Sequence, residues 1–340
     1  MSEYMIALDA MGGDHAPQAA CEGAMLAVSE MKDVKIRLYG QKEEIEKWLT
    51  SRENIEIVDA REVIDPDGAP IMEVRSKRDS SMVRAAMDLK KGEVQAMVSA
   101  GSTGSVLACG AFHVGRIKGV ERPALAPLIP GKDKPFLLID CGANVDCQSK
   151  HLLQFGMMGS VYMERVIGVP KPTVGLVNIG VEEDKGSKLY KEAYGLMKRQ
   201  GVYRFVGNVE AREIPMGQCD VAVADGFDGN LLLKYTEGLS SALFAVLKRG
   251  MMSSLRTKIG AMLLKPVFRG VKNMMNYEKH GGAPLLGVNG AMVKAHGSSS
   301  AQAFKNAVRQ ARTMLENHVP EEIRSGVERM SAQLEEGEEK

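Results

Sequence analysis

Residues able to do chemistry gather at four places along this chain. The stretch LDAMGGDHAP, residues 8–17, sets Gly12, Gly13, Asp14 and His15 directly behind an apolar run. AGSTGS, residues 100–105, offers the hydroxyls of Ser102 and Thr103 between Gly101 and Gly104, with an apolar helical run behind them. Hydroxyls and successive backbone N–H groups in that pattern suit a phosphate held without a metal. Lys185 follows three acids, Glu182, Glu183 and Asp184, at a strand-to-helix junction. A cation there either pairs with an anionic substrate in a cleft or is a solvated surface charge, and spacing alone favours the second. Asn230, in ADGFDGN, stands at the start of a helical pattern, where its amide either caps the helix or donates to a developing oxyanion.

Other chemistries find less. GxGxxG, GxxxxGK[ST], GxSxG and HExxH patterns are all missing, which removes support for the standard dinucleotide, P-loop, hydrolase and zincin readings. Asp9, Asp14, Asp140 and Asp146 raise a hard-cation site, which needs several converging carboxylates. They are read here as caps of helices and turns, and neither a metal nor another cofactor is expected. His15 and His151 are secondary acid–base candidates, since a single histidine is more often packed or capping. Five cysteines with no CxxC pair argue against a disulfide framework and a zinc knuckle, and for a reducing cytoplasm.

The elements that must position these residues follow from hydrophobic patterning. Short apolar runs at 5–9, 34–39, 55–58, 96–100, 136–140, 173–178, 203–207 and 221–224 predict strands buried on both faces. They alternate with helical stretches at 17–31, 42–50, 82–90, 149–167, 186–200 and 300–318, the pattern of parallel βαβ units. The fold class expected is therefore α/β with a doubly wound, mostly parallel sheet. Five of the loops that follow strands are rich in Gly, Asp, Asn or Ser, so one polar, anion-binding cleft is expected beyond the carboxyl ends of the strands.

Composition bounds the rest. Of 340 residues 44% are hydrophobic and 26% charged, so a sizeable core is affordable and disorder is not expected for the bulk. A net charge of +1 gives no global field toward nucleic acid, and none is expected as a partner. The acidic start and the short apolar run after it predict no secretory signal. The longest uncharged stretch, 94–115, carries four glycines and four Ser or Thr residues and does not read as a bilayer span.

Near-neutrality hides one basic segment. Residues 248–279 hold eight Lys or Arg against the single acid Glu278. Met251, Leu255, Ile259 and Leu263 recur every four residues, then Leu264 and Phe268, continued by Val271 and Met275, with Pro266 as a break. This predicts a protruding helical hairpin within 240–280, with Met262, Leu263, Leu264, Val267 and Phe268 near its tip and Lys258, Lys265 and Arg269 on its flanks. An ordinary dimer or core stripe, attachment to an anionic membrane, and docking of an acidic protein all fit that pattern. Residues 1–330 are read as one domain and 331–340 as a charged, frayed tail.

Taken in order, LDAMGGDHAP (8–17), VSAGSTGSVLACG (98–110), LIDCGANVD (138–146), GLVNIGVEEDKG (175–186), DGFDGNLLLKYTEG (225–238) and GGAPLLGVNGAMVKAHGSS (281–299) resemble the PlsX family, the phosphate acyltransferases of bacterial phospholipid synthesis. The resemblance implies transfer of an acyl group from the thioester of acyl carrier protein (ACP) to inorganic phosphate, giving acyl phosphate. It further implies a fold similar to isocitrate and isopropylmalate dehydrogenases and to phosphotransacetylase, and a homodimer. The cysteines and the basic arm add the expectation of a cytoplasmic enzyme peripherally attached to the inner face of the membrane. Matched residue by residue, it puts catalytic roles on Lys185 and Asn230. Gly12, Gly13, Asp14, Gly101, Ser102, Thr103, Gly104 and Asn144 become the expected phosphate- or substrate-binding positions. Two other readings stand beside it: a nicotinamide-dependent decarboxylating dehydrogenase of the same fold, and a non-catalytic membrane scaffold.

Overall fold

The computed structural model describes residues 3–275 and 281–338. Its strands form two sheets. The first contains β1 (Tyr4–Asp9), β2 (Val34–Gly40), β3 (Ile55–Asp59), β4 (Ala96–Ser99), β5 (Ala124–Leu125), β11 (Ala283–Leu286) and β12 (Ala291–Lys294), in the order β3-β2-β1-β4-β12-β11-β5. The second contains β6 (Leu128–Ile129), β7 (Phe136–Ile139), β8 (Thr173–Asn178), β9 (Arg204–Glu210) and β10 (Val221–Val223), in the order β6-β7-β10-β8-β9. Pairings are parallel except those of β11 with β12 and β5, and of β6 with β7.

Twelve helices are described: α1 (Gln18–Glu30), α2 (Lys42–Glu46), α3 (Pro70–Ser76), α4 (Ser81–Lys91), α5 (Thr103–Cys109), α6 (Ser149–Tyr162), α7 (Lys188–Arg199), α8 (Gly226–Met251), α9 (Leu255–Leu263), α10 (Lys265–Met275), α11 (Ala301–Glu316) and α12 (Val319–Glu338). Helices cover both faces of the first sheet, and β1 shows why its apolar run is continuous. Ile6 and Leu8 pack into one cluster with Ala20 and Ala24 of α1, while Ala7 between them joins Met82, Val83 and Ala86 of α4. The first cluster continues without a break to Leu137, Leu176 and Val221 of the second sheet, so the two sheets share one core.

The class is the one read from the sequence, with its strands divided between two sheets rather than laid in one. The two-residue strands β5 and β6 and the hairpin partners β11 and β12 lie outside the predicted set. Runs of two to four residues give too few alternations to separate a strand from a loop. Helix α12 continues through Glu338, into the stretch expected to fray. Good helix formers such as Ala332, Gln333 and Glu335 fill that stretch.

Both the start of the expected arm at residue 240 and the first basic residues, Lys248 and Arg249, lie inside a helix that begins at Gly226. α8 runs for 26 residues, and the chain breaks at 252–254, where Ser254 and Thr257 form a capping box for α9. Leu264 separates α9 from α10, whose first turn holds Pro266. No residue of α9 is buried. Lys279 and Glu278 lie outside the described residues.

Candidate functional site

The two sheets face each other across a cleft at the carboxyl ends of β1, β4, β7 and β10. It holds two adjoining cavities that share Gly104 and Gly142. One, of 970 Å³, is walled by Thr103 and Gly104 from the first sheet, Cys141 and Gly142 from the second, Asn230, Lys234 and Phe244 from α8, and Lys294, Ala295, His296 and Ser299 at and just past the end of β12. Leu125, Leu128, Ile129 and Leu233 make part of its lining apolar. The other, of 1050 Å³, opens between Ile71, Leu107 and Phe112 on one side and Arg116, Arg122, Asn144 and His151 on the other.

Close backbone contacts hold these walls together. The Asp9 carboxylate, 1% exposed at the end of β1, accepts hydrogen bonds from Ser81 and Ser99 Oγ, each at 2.6 Å. Burial pushes its carboxyl above the ordinary carboxylate range, against the pull of both hydroxyls. A Cβ on Gly12 would lie 2.6 Å from Gly101 N and 2.7 Å from Asp9 Oδ2, so only glycine lets the first loop press on the second. On the facing sheet, Asp140 accepts from the amides of Leu125, Ala143 and Asn144, and burial raises its carboxyl to about 6. A Cβ on Gly229 would fall 1.8 Å from the Asp140 carbonyl oxygen. That missing side chain seats the first turn of α8 on the loop after β7 and brings Asn230 to Gly142.

The predicted site residues separate into groups. Thr103, Gly104, Asn144 and Asn230 reach cavity walls. Gly12, Gly13, Asp14 and Gly101 lie behind them, where Asp14 N donates to Gly297 O at 2.8 Å. Two capping expectations need correction. Asp14 does not cap α1, which follows Pro17 with no side-chain cap. Asn230 does not cap α8 either: Asp225 does, accepting from Asp228 N at 2.8 Å, and Asn230 sits a turn inside with its amide exposed at the cavity. Ser102 caps α5, accepting from Ser105 N.

Lys185 stands outside both cavity linings, exposed in the loop between β8 and α7. That loop is tied to the cleft indirectly: Tyr190 of α7 donates to Asp228 of α8 at 2.8 Å. Of the secondary candidates, His151 accepts from Gln148 N through Nδ1, completing the cap of α6, and pairs with Glu121 at 3.1 Å. His15 is exposed. Among the described residues no three His, Cys, Asp or Glu side chains cluster as metal ligands, and all five cysteines are free thiols.

Sequence reasoning missed a buried cation in the wall of the 970 Å³ cavity. Lys294, at the end of β12, is 9% exposed, and burial brings its ammonium down to about 8. Lys234 pushes in the same direction, and Asp14 and Asp9 oppose it. Ser299 Oγ, on a residue 1% exposed, has no hydrogen-bond partner among the described residues. Both lie in the sixth block of the resemblance, and the signal available was a lysine closing a buried run, AMVK, ahead of AHGSS.

The fold defines a class first. It is similar to EutD phosphotransacetylase from Staphylococcus aureus, with a TM-score of 0.60 at 15% identity over 92% of this chain and 94% of that one. It is also similar to 4-hydroxythreonine-4-phosphate dehydrogenase from Klebsiella pneumoniae, with a TM-score of 0.51 at 14% identity over 94% and 100% of the two chains. At such identities the likeness concerns the fold alone. A family profile described as fatty acid synthesis protein matches residues 4–322. Phosphate acyltransferase from Clostridium botulinum strain Loch Maree is 51% identical over 327 residues, 95% of this chain and 97% of that protein. The chain belongs to this phosphate acyltransferase family and is a transferase.

Proposed function

We propose that this protein moves an acyl group from the thioester of acyl-ACP to inorganic phosphate, releasing acyl phosphate for glycerophospholipid synthesis. The observation that carries the reading is the 970 Å³ cavity, in which an ammonium, a hydroxyl unpaired among the described residues and a carboxamide adjoin an apolar wall. An oxyanion and an acyl chain need those two environments side by side.

The chemistry asks little of a base. Orthophosphate near neutrality is largely dianionic, as the pKa of about 6 for phosphate monoesters suggests, and is already a nucleophile. The site must place it against the thioester carbonyl and stabilise the charge that develops on the carbonyl oxygen. Asn230 is assigned that oxyanion. Lys185, on the exposed loop between β8 and α7, is assigned the incoming phosphate, and Thr103 and Gly104 its seat, with Gly12, Gly13, Asp14, Gly101 and Ser102 as the support behind. Asn144 lines the neighbouring cavity of 1050 Å³, which is assigned the thiol arm of the donor.

Two surface features support the partners. Along α8, where only Gly226 and Gly229 are buried, Phe227, Leu231, Tyr235, Leu239 and Leu243 stand exposed four residues apart, an inclined ridge of the kind that packs against another helix. This supports a homodimer. Met262, Leu263, Leu264 and Val267 are exposed, Phe268 is half-buried, and Lys258, Lys265 and Arg269 are exposed on the same segment, which supports peripheral contact with an anionic membrane from the cytoplasmic side. Among the described residues no helix is long and apolar enough to cross a membrane.

The deciding experiment incubates the purified protein with acyl-ACP and phosphate and traps acyl phosphate as a hydroxamate. Phosphate-dependent product is expected; thiol release that ignores phosphate would dismiss the assignment. Lys185→Ala and Asn230→Ala are expected to fold normally and lose phosphate-dependent thiol release. Full activity in either variant removes that residue from the mechanism.

A further inference from the structure

A lysine is buried where the reaction needs a proton. Lys294 Nζ donates to the carbonyl of Ala295, and among the described residues that is its hydrogen-bond partner. An ammonium has three N–H donors, so two remain for the cavity it lines. Ser299, in the same wall, holds a buried hydroxyl with no hydrogen-bond partner among the described residues. Buried polar groups are nearly always satisfied, so an unpaired hydroxyl beside an underused ammonium marks a place that a polar ligand fills.

We infer that Lys294 is the proton donor to the departing thiolate, with Ser299 beside it on the reacting phosphate, an inference that rests on the acyl-transfer reading above. The bookkeeping closes without another reactant. An oxygen of HPO₄²⁻ forms a bond to the thioester carbonyl carbon, and the carbonyl electron pair moves to its oxygen. That pair returns, the C–S bond breaks, and sulfur leaves with the bonding electrons. Lys294 gives one proton to sulfur and becomes a neutral amine. It then takes the proton that the phosphate carried in, so the products are the acyl phosphate dianion and a free thiol, and the lysine is an ammonium again.

Its surroundings suit that task. Asp9 on β1 and Asp14 in the loop after it favour the ammonium, Lys234 on α8 disfavours it, and Ser99 of β4 pairs opposite in the sheet. The ammonium, brought to about 8, nearly matches an alkyl thiol of about 8.5, where proton transfer runs easily in either direction. Lys185 has no such setting, being exposed outside the cavity.

The test varies the leaving group. Wild type, Lys294→Gln and Lys294→Arg are assayed for acyl phosphate with two thioesters of one acyl chain, an alkyl thioester and an aryl thioester whose thiol departs without protonation. Lys294→Gln and Lys294→Arg are expected to lose on the order of a hundredfold in kcat on the alkyl donor and less than about tenfold on the aryl donor. Lys294→Arg, still cationic, is expected to keep the wild-type KM for phosphate. Equal losses on both donors, or none, overturn the inference. A wild type that forms acyl phosphate from neither donor overturns the acyl-transfer reading instead. Thermal unfolding reports whether the variants fold. Should both melt, the wild-type pH profile decides: kcat with the alkyl donor is expected to fall above about 8 and that with the aryl donor to stay level, and parallel profiles overturn the assignment.

Discussion

Glycines set the geometry of the cleft as much as its charged groups do, because they decide how closely the loops approach. Gly229 and Gly238 lie on the same helix, α8, yet a Cβ would meet the Asp140 carbonyl oxygen at 1.8 Å in the first and open space in the second. Gly229→Ala is expected to lift the first turn of α8 off the loop after β7, displace Asn230 and lower acyl phosphate formation at least about a hundredfold, the scale of losing an oxyanion donor. Gly238→Ala is expected to leave activity alone and raise the unfolding free energy by about 0.5–1 kcal/mol, since alanine restricts the unfolded chain and favours helix. Calorimetry and the hydroxamate assay on the pair check both. A Gly229→Ala enzyme of normal rate would mean that Asn230 needs no such seat.

At the scale of elements, α1 and α11 lie together against the first sheet, tied at one end by charge. Arg312 of α11 donates to both oxygens of Asp33, which follows α1, and Lys305 and Arg309 pair with Glu30. The Arg312 hydrogen bonds hold the Asp33 carboxyl below the ordinary carboxylate range. A carboxyl with a depressed folded pKa adds stability that is complete above the unfolded value, about 3.9, and fades as the pH falls through the folded one. Arg312→Met is therefore expected to lose about 1 kcal/mol at pH 7, near 2 °C in the unfolding midpoint for a chain this long. The gap from wild type should close as the pH drops below about 3.9. A gap that stays constant into acid would assign the loss to packing of the arginine stem instead.

For the whole molecule the open matter is what covers the exposed apolar surface, and its two parts make separable predictions. Leu239→Glu with Leu243→Glu on the α8 ridge is expected to turn a dimer into a monomer in sedimentation equilibrium. An unchanged mass would free that ridge for another role. Leu263→Glu with Phe268→Glu, beyond the ridge, is expected to leave the mass alone and abolish flotation with anionic vesicles. High salt is expected to weaken wild-type flotation, because the basic flanks act through screened charge, at about 1 kcal/mol per residue near the surface.

Local sequence determined the parallel α/β class, the βα alternation and the glycine-rich loops at the strand ends, because buried strands and amphipathic helices write their periods directly into residue order. It also picked out Asn230, whose amide reaches the cavity. Tertiary structure alone decided that the strands divide into two sheets, that β11 and β12 complete the first, and that Lys294, and not Lys185, reaches the cavity. A lysine's burial is not a property of its neighbours in the chain. Lys294 is buried because β12 lies between β4 and β11 and its end faces α8, which lies some sixty residues away in sequence. Lys185, on a loop beyond β8, has no element laid over it.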